Sequence, residues 1–177
     1  MTRLFTALDI PGSIKTELAR LAPEGDFVKI QRQPHITVHF IGHVSDELAL
    51  DISSELNTID LMAYDQEIEG VGVFTKGRPP HILWAGVRKC AGLMNLHAAI
   101  GDCLTEVGLK LEDRDYTPHI TIARLKRRSP ELVELYLSAH RGFSASFRVS
   151  SFGLYSSEFK EGKLIYRKIQ EYKLTPA

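Results

Sequence analysis

The chain of 177 residues is poor in cysteine and has no excess of charge of either sign. Its two cysteines, Cys90 and Cys103, form no CxxC pair, which argues against a disulfide-rich secreted scaffold and favours a reducing compartment. Twenty-two basic residues balance twenty-two acidic ones, so any contact with nucleic acid must come from a local basic patch. We therefore expect a substrate that is short, or the end of a longer molecule.

Long hydrophobic runs are also missing. No window approaches the length of a membrane span, and the first apolar run, Leu4–Ile10, is followed by no small-residue cleavage site. We expect a cytoplasmic protein that does not associate with membranes. With 44% hydrophobic residues, the chain can bury the core of one globular domain, which we expect to span residues 1–177.

The pattern His-x-Thr occurs twice, each time inside a short apolar run. The two copies are Pro34–Val38 and Pro118–Ile122. Because successive side chains of a strand point to opposite faces, each histidine shares a face with its threonine, and aliphatic residues fill the other face. One copy alone is more often a buried strand with satisfied polar groups, but two matched copies fit chance poorly. The candidate site residues are His35, Thr37, His119 and Thr121.

Two neighbouring strands of this kind would bring together two imidazoles and two hydroxyl groups. An imidazole has an ordinary pKa of about 6.5, so the pair can supply a general base and a general acid near neutral pH. The hydroxyl groups can donate hydrogen bonds to phosphate oxygens. The set suits phosphodiester chemistry without a metal, although these residues alone do not decide which histidine is the acid.

The other histidines give no comparable signal. His39 shares the face of the first motif, but satisfied strand histidines are common, and we leave it out of the catalytic set. The remaining four have no partner at metal-ligand spacing, and threonine is not a typical zinc ligand. We expect no metal and no cofactor.

Hydrophobic periodicity predicts strands and helices that alternate in each half of the chain. The motif histidines lie about half the chain apart, which indicates weak internal symmetry. The expected fold class is α+β, with two antiparallel sheets forming a central cleft and helices packed outside. The expected strands are Arg3–Ile10, Phe27–Ile30, a motif strand that stops at Gly42, Tyr64–Phe74, Ile82–Val87, Tyr116–Leu125, and a hairpin of Ser144–Tyr155 and Leu164–Lys173 turning near Gly162. The expected helices follow Pro11 and Ser45 and cover Leu93–Val107 and Pro130–Ala139, and the segment Lys76–Pro80 is an expected loop.

Together with the two motifs, three further segments carry a family resemblance, Arg3–Pro11, Phe40–Gly42 and Leu83–Gly86, and the second motif strand extends it to Arg124. They resemble the 2H phosphoesterase superfamily, and within it the bacterial and archaeal RNA 2',3'-cyclic phosphodiesterases, once called 2'-5' RNA ligases. The likeness covers nearly the whole chain. One departure is Gln33–Pro34, where the family more often has Asn-Leu; it changes the rim of the cleft and leaves the catalytic pattern whole.

The resemblance implies a bilobal, pseudo-twofold α+β fold and an enzyme that needs no cofactor. It implies that His35 is the proton donor and His119 the proton acceptor when a 2',3'-cyclic phosphate is opened to a 2'-phosphate. Thr37 and Thr121 would bind the phosphate oxygens, and Arg124 would be a further phosphate contact. The implied substrate is an RNA end or a small cyclic nucleotide, with no obligate protein partner. The family also implies the reverse reaction, a 2'-5' ligation of RNA without ATP.

The position of Arg124 raises a difficulty. Strict alternation along a strand places its side chain on the face opposite to His119. A β-bulge or the end of the strand must turn the guanidinium back towards the site if it is to bind phosphate.

Three other functions remain open. The first, within the same superfamily, is cleavage of 2'-5' oligonucleotides or of 3'-terminal nucleotides from RNA. The second is a non-catalytic nucleotide-binding module, against which two intact acid–base motifs argue. The third is a structural interaction protein, in which changing both motif histidines would leave its role untouched.

Overall fold

The computed structural model describes residues 1–75, 81–111, 115–160 and 163–176, so the predicted loop at Lys76–Pro80 and the turn near Gly162 lie outside the described residues. Strands and helices alternate along the chain. The strands are β1 (Thr2–Asp9), β2 (Val28–Ile30), β3 (His35–Val44), β4 (Tyr64–Phe74), β5 (His81–Val87), β6 (His119–Leu125), β7 (Ser144–Val149), β8 (Ser151–Lys160) and β9 (Lys163–Lys173). The helices are α1 (Gly12–Leu21), α2 (Asp46–Leu56), α3 (Ala91–Glu106) and α4 (Pro130–His140).

Local sequence signals account for the helix ends. The N–H of Leu48 donates to the Ser45 hydroxyl oxygen at 3.1 Å, which caps α2 as predicted. Gly108 follows α3 with φ of +86°, and the N–H of Leu109 donates to the carbonyl of Leu104 at 3.0 Å. This is a glycine cap of the Schellman type, because the left-handed residue lets the chain turn back onto the last helical carbonyls.

The strands form one antiparallel sheet in the order β7-β4-β5-β6-β3-β1-β8-β9, and β2 pairs with β6 at its side. The two motif strands, β3 and β6, are neighbours at the centre, and their register is recorded at one pair, Ile36 and Ile120. Along this order, which leaves out β2, four strands lie on each side of the junction. The predicted α+β architecture is confirmed, and its two antiparallel halves, the two lobes of the fold, join at the motif strands into one continuous sheet.

Connectivity requires the sheet to curl. Strands β7 and β8 stand six places apart in the strand order, although only Ser150 separates them in sequence. Across a flat sheet six places would span about 29 Å. Two residues of chain, however, reach at most about 7 Å. The prediction of one strand over Ser144–Tyr155 is therefore wrong: the chain changes from one half of the sheet to the other at Ser150, where no glycine or proline marks the break.

The two motif strands also differ from the sequence prediction at one end each. Strand β3 continues past Gly42 to Val44, because a one-residue shift in its pairing with β1 leaves Ile41 as a bulge beside Gly42, whose φ is +90°. Strand β6 begins at His119 rather than Tyr116, since Pro118 has no N–H to offer a neighbouring strand.

The core lies between one face of the sheet and the helices. Two aliphatic residues from each motif, the ones that alternate with its histidine and threonine, point into it and are at most 3% exposed. Helices α2 and α3 supply much of the opposing surface, so the other face of β3 and β6 is left for a site. No helix among the described residues combines the length and the apolar character needed to cross a membrane. The core residues that β3, β6, α2 and α3 contribute include Ile36, Val38, Ile120, Ile122, Ile52, Leu56, Leu93, Leu96, Ile100 and Leu104.

Candidate active site

A pocket of about 200 Å³ opens on the face of the motif strands that points away from the core. In both strands the histidine and threonine are partly exposed and the residues between them are buried, which is the alternation that the sequence predicts. The structure brings all five candidate residues to this pocket: His35, Thr37, His119, Thr121 and Arg124.

A β-bulge in β6 turns Arg124 into the pocket. Thr121 and Ala123 pair with successive residues of β5, which leaves Ile122 without a register partner there. Ile122 and Ala123 are therefore both buried, and the alternation restarts one residue later. Arg124 thus returns to the face of His119, as its predicted contact with phosphate requires.

Each of the two histidines is held by a hydrogen bond to the backbone carbonyl two residues before it. The Nδ1–H of His35 donates to the Gln33 carbonyl at 2.8 Å, and the Nδ1–H of His119 donates to the Thr117 carbonyl at 2.9 Å. A carbonyl oxygen can only accept a hydrogen bond, so the proton of each neutral imidazole is on Nδ1. Nε2 of each neutral imidazole therefore carries no proton and is the nitrogen available for proton transfer.

Aromatic rings flank each imidazole. The ring of His35 lies 5.1 Å from that of Phe5 and 5.0 Å, edge to face, from that of Tyr166. Phe5 is buried on β1, the strand next to β3. Packing against two rings restricts the rotation of the imidazole.

The second lobe repeats this arrangement. The ring of His119 lies 4.8 Å, edge to face, from that of Phe74 and 6.5 Å from that of Trp84. Trp84 is on β5, the strand next to β6, and is the register partner of Thr121. The pseudo-twofold relation between the lobes therefore extends to the aromatic surroundings of the two histidines.

Gln33, where the chain departs from the family pattern, connects two parts of the site. Its side-chain amide donates to the Tyr166 carbonyl at 3.3 Å, and its side-chain oxygen accepts from the Tyr166 N–H at 3.2 Å. Its own carbonyl accepts the Nδ1–H of His35. Gln33 thus orients His35 and fixes β9 so that Tyr166 packs against the same imidazole. Sequence reasoning placed Gln33 only at the rim of the cleft and did not find Tyr166 or Phe74, because no local pattern relates residues so far apart.

Burial lowers the pKa of His35 below its ordinary value of 6.5, and the nearby His119 and Lys15 lower it further. The Gln33 carbonyl and the Asp9 carboxylate act in the opposite direction, but their combined effect is smaller. Asp9 is the register partner of His35 in the β1–β3 pairing. Before an anion binds, His35 therefore favours its neutral form near pH 7.

Asp9 is itself held by two lysines. Its carboxylate lies 2.8 Å from the Lys168 ammonium nitrogen and 3.3 Å from that of Lys15. Burial raises the pKa of Asp9, but Lys168 and Lys15 together lower it by more, so its pKa lies below the ordinary value. A negative charge thus stands beside His35 at neutral pH.

His39 lies outside the pocket. Its Nε2–H donates to the His97 carbonyl at 2.8 Å, and its ring stacks on that of His97 at 4.1 Å. The stack continues to Tyr116, also at 4.1 Å, and the Tyr116 hydroxyl donates to the Thr37 carbonyl at 2.9 Å. Burial, with the nearby His39 and Lys89, lowers the pKa of His97 to about 4. Within the described ranges, no three His, Cys, Asp or Glu residues are grouped to hold a metal ion.

Comparison with known families then assigns the chain. The family model described as the 2'-5' RNA ligase superfamily matches residues 11–161, which is most of the sequence. The chain belongs to this superfamily. The family predicted from the motifs is thereby confirmed.

Sequence relatives and a solved structure resemble this 2'-5' RNA ligase superfamily member over most of its length. A protein of Archaeoglobus fulgidus named RNA 2',3'-cyclic phosphodiesterase is 27% identical over 175 residues, covering 96% of this chain and 99% of its own. Another of that name, from Aeropyrum pernix, is 34% identical over 142 residues, with coverages of 78% and 81%. The crystal structure of Escherichia coli LigT in apo form superposes with a TM-score of 0.83 at 24% identity, over 98% of both chains, which confirms the fold.

Proposed function

We propose that this protein hydrolyses the 2',3'-cyclic phosphate ends of RNA, or of small nucleotides, to 2'-phosphates by a two-histidine mechanism that uses no metal. One observation carries the proposal: two imidazoles with the same tautomer line one pocket together with two threonine hydroxyls and a guanidinium. The names of the relatives from Archaeoglobus fulgidus and Aeropyrum pernix support the same reaction.

In the proposed mechanism, Nε2 of neutral His119 accepts a proton from the water that attacks phosphorus. The new bond joins the water oxygen to phosphorus, and the bond from phosphorus to the 3' oxygen breaks. Protonated His35 gives the proton on its Nε2 to the departing 3' oxygen, which leaves as a hydroxyl. The Nδ1–H of each ring stays on its backbone carbonyl throughout, so neither histidine needs to reorient between the two proton transfers.

The remaining pocket residues act on the phosphate itself. Thr37 and Thr121 donate hydrogen bonds to its non-bridging oxygens, whose negative charge is stabilised during the reaction. Arg124 adds a charge-assisted contact, since a planar guanidinium matches two phosphate oxygens at once. Loss of one threonine is expected to cost less activity than loss of a histidine, because a water can partly replace a hydroxyl donor.

The same site supports a ligation in which a second RNA replaces water as the nucleophile. If a 5'-hydroxyl of a second RNA takes the place of water, His119 accepts the hydroxyl proton, and the new bond joins the 5' oxygen to phosphorus. His35 again protonates the 3' oxygen, which gives a 2'-5' linkage. The energy comes from opening the cyclic phosphate, so no ATP is needed.

The test is turnover of a 2',3'-cyclic nucleotide and of a short RNA with that end, in EDTA, by the wild type, His35→Ala and His119→Ala. We expect a 2'-phosphate product that forms despite EDTA, with at least about a hundredfold loss in either variant. His43→Ala is the matched control, because His43 is exposed on the same strand as His35 and does not line the pocket.

Other results would favour the alternative functions. Turnover of 2'-5' oligonucleotides or removal of 3'-terminal nucleotides, with cyclic ends left intact, would assign a different reaction to the same pocket. Tight nucleotide binding by the wild type without turnover of any of these substrates would contradict the proposal and favour a binding module.

A further inference from the structure

A second, larger cavity adjoins the catalytic pocket. It has a volume of about 740 Å³ and runs between the segment Val28–Gln33 and the segment Leu164–Tyr166. Pockets that hold a small organic ligand usually measure roughly 300 to 1,000 Å³, so this cavity, unlike the catalytic pocket, reaches that range by itself. The two cavities lie side by side, since Gln31, Arg124, Leu164 and Tyr166 line both.

The cavity is positively charged. Lys29, Arg32 and Arg124 line it, and none of its described lining residues is acidic. Within the described part of the chain, none of these three cations takes part in a salt bridge, and the side chains of Lys29 and Arg32 belong to exposed residues. The cavity therefore offers free positive charge beside the site where a phosphate would react.

One pair of these cations lies in an unfavourable arrangement. Lys29 and Arg124 are direct register partners across β2 and β6, and like charges placed opposite each other destabilise a sheet. The pairing of Asp65 with Arg148 across β4 and β7 shows the favourable alternative, with an oxygen–nitrogen distance of 3.3 Å. A bound anion between Lys29 and Arg124 would relieve their repulsion.

Apolar surface borders these charges. Ile30 is 49% exposed and Leu164 is 38% exposed, and both line the cavity. Phosphates bind to cations, and the flat faces of nucleobases pack against apolar and aromatic side chains. The combination of both surfaces in one groove suits a single strand of nucleic acid.

We infer that this cavity binds the RNA chain on the 5' side of the cyclic phosphate, so that the protein acts on RNA ends in preference to free cyclic mononucleotides. The inference rests on the proposed function. A terminal nucleotide in the catalytic pocket has one continuing strand, and that strand passes the residues common to both linings to reach the larger cavity. Lys29 and Arg32 then contact the first phosphates beyond the terminal nucleotide.

The experiment compares kcat/KM for a 2',3'-cyclic mononucleotide and for a five-nucleotide RNA that ends in the same cyclic nucleotide. The test variant is Lys29→Gln with Arg32→Gln. The matched control is Lys110→Gln with Arg141→Gln, which removes the same charge from two exposed residues that line neither cavity.

In the test variant we expect kcat/KM for the RNA to fall roughly tenfold, while that for the mononucleotide stays unchanged. The salt dependence of kcat/KM for the RNA should become less steep by about 0.7 for each phosphate that the variant no longer binds. The unfolding temperature should not fall, because removing the charge of Lys29 ends its repulsion with Arg124.

Three results would overturn the inference. An equal loss for both substrates would mean that the cavity holds the terminal nucleotide itself; no loss would mean that the RNA takes another route; and an equal loss in the control variant would assign the effect to overall charge. If the wild type turns over neither substrate, the proposed function fails. Fluorescence anisotropy with an RNA ending in a 2'-phosphate then tests the cavity separately, through weaker binding by the test variant alone.

Discussion

At the scale of the residue, the surroundings of His35 give the reaction a characteristic pH dependence. A proton donor must be protonated, and burial places the pKa of His35 below 6.5 in the free protein. We therefore expect kcat/KM to fall as the pH rises through a value below 6.5. In the pH profile of kcat the alkaline limb should lie at higher pH than in that of kcat/KM, because a bound phosphate anion stabilises the imidazolium of His35. Steady-state profiles on a cyclic mononucleotide measure both limbs, and an alkaline limb of kcat/KM above 6.5 would contradict the expectation.

Asp9→Asn identifies which limb belongs to His35. The Asp9 carboxylate raises the pKa of His35, so its removal should lower that pKa further and move the alkaline limb of kcat/KM to lower pH. If the acidic limb moved instead, His35 would be the proton acceptor and the proposed roles would be exchanged. Asp102→Asn is the control, since Asp102 is exposed on α3 and lines neither cavity.

The sequence predicted part of this site because strand alternation is a local rule. It places His35 and Thr37 on one face from their spacing alone. The contacts of Gln33 with Tyr166 join residues that lie 133 positions apart, and no periodicity reports such a contact. The same holds for Asp9, whose place beside His35 follows only from the β1–β3 register.

At the scale of the element, the Tyr116 hydroxyl ties the approach to β6 to strand β3 through the Thr37 carbonyl. Tyr116→Phe keeps the ring stacked on His97 and removes this hydrogen bond. We expect a loss of about 1 kcal/mol in the free energy of unfolding. We also expect a several-fold lower kcat on a cyclic mononucleotide, since small displacements of reacting groups cost rate.

Tyr64→Phe is the matched control for this prediction. Tyr64 lies near Tyr116, and its buried hydroxyl has no hydrogen-bond partner among the described residues. Its removal should leave both kcat and the free energy of unfolding unchanged or slightly improved. Equal effects of the two substitutions, measured by urea unfolding and by turnover, would mean that the bond to Thr37 does not position the motif strands.

Helix and strand ends that carry a recognisable local sequence pattern were predicted. Strand breaks that carry no such pattern were not predicted. The helix limits at Ser45 and Gly108 carry capping residues that can be recognised in the sequence. The requirement for a bulge before Arg124 followed from alternation, although its position at Ile122 did not. The passage from one half of the sheet to the other at Ser150 was missed, because no glycine or proline marks it.

At the scale of the whole molecule, the junction of the two lobes depends on Ile36 and Ile120, which are fully buried. Ile36→Ala should lower the free energy of unfolding by about 2 to 5 kcal/mol, and Ile36→Val by about 0.5 to 1.5 kcal/mol, through the cavity each leaves. Ile169→Ala is the control, because Ile169 is 48% exposed and should cost no more than about 0.5 kcal/mol. Urea unfolding measures all three, and equal losses at residues 36 and 169 would contradict this view of the junction.

The crossing at Ser150 also determines the order in which the protein can be assembled as it is made. Strand β1 emerges from the ribosome early, but its partner β8 follows some 140 residues later, and β9 with Tyr166 later still. The lobe that holds His35 must therefore wait, with one edge of β1 unpaired, while the strands β4 to β7 can already pair with one another. During translation, the half of the cleft that was synthesised first is the half that is completed last.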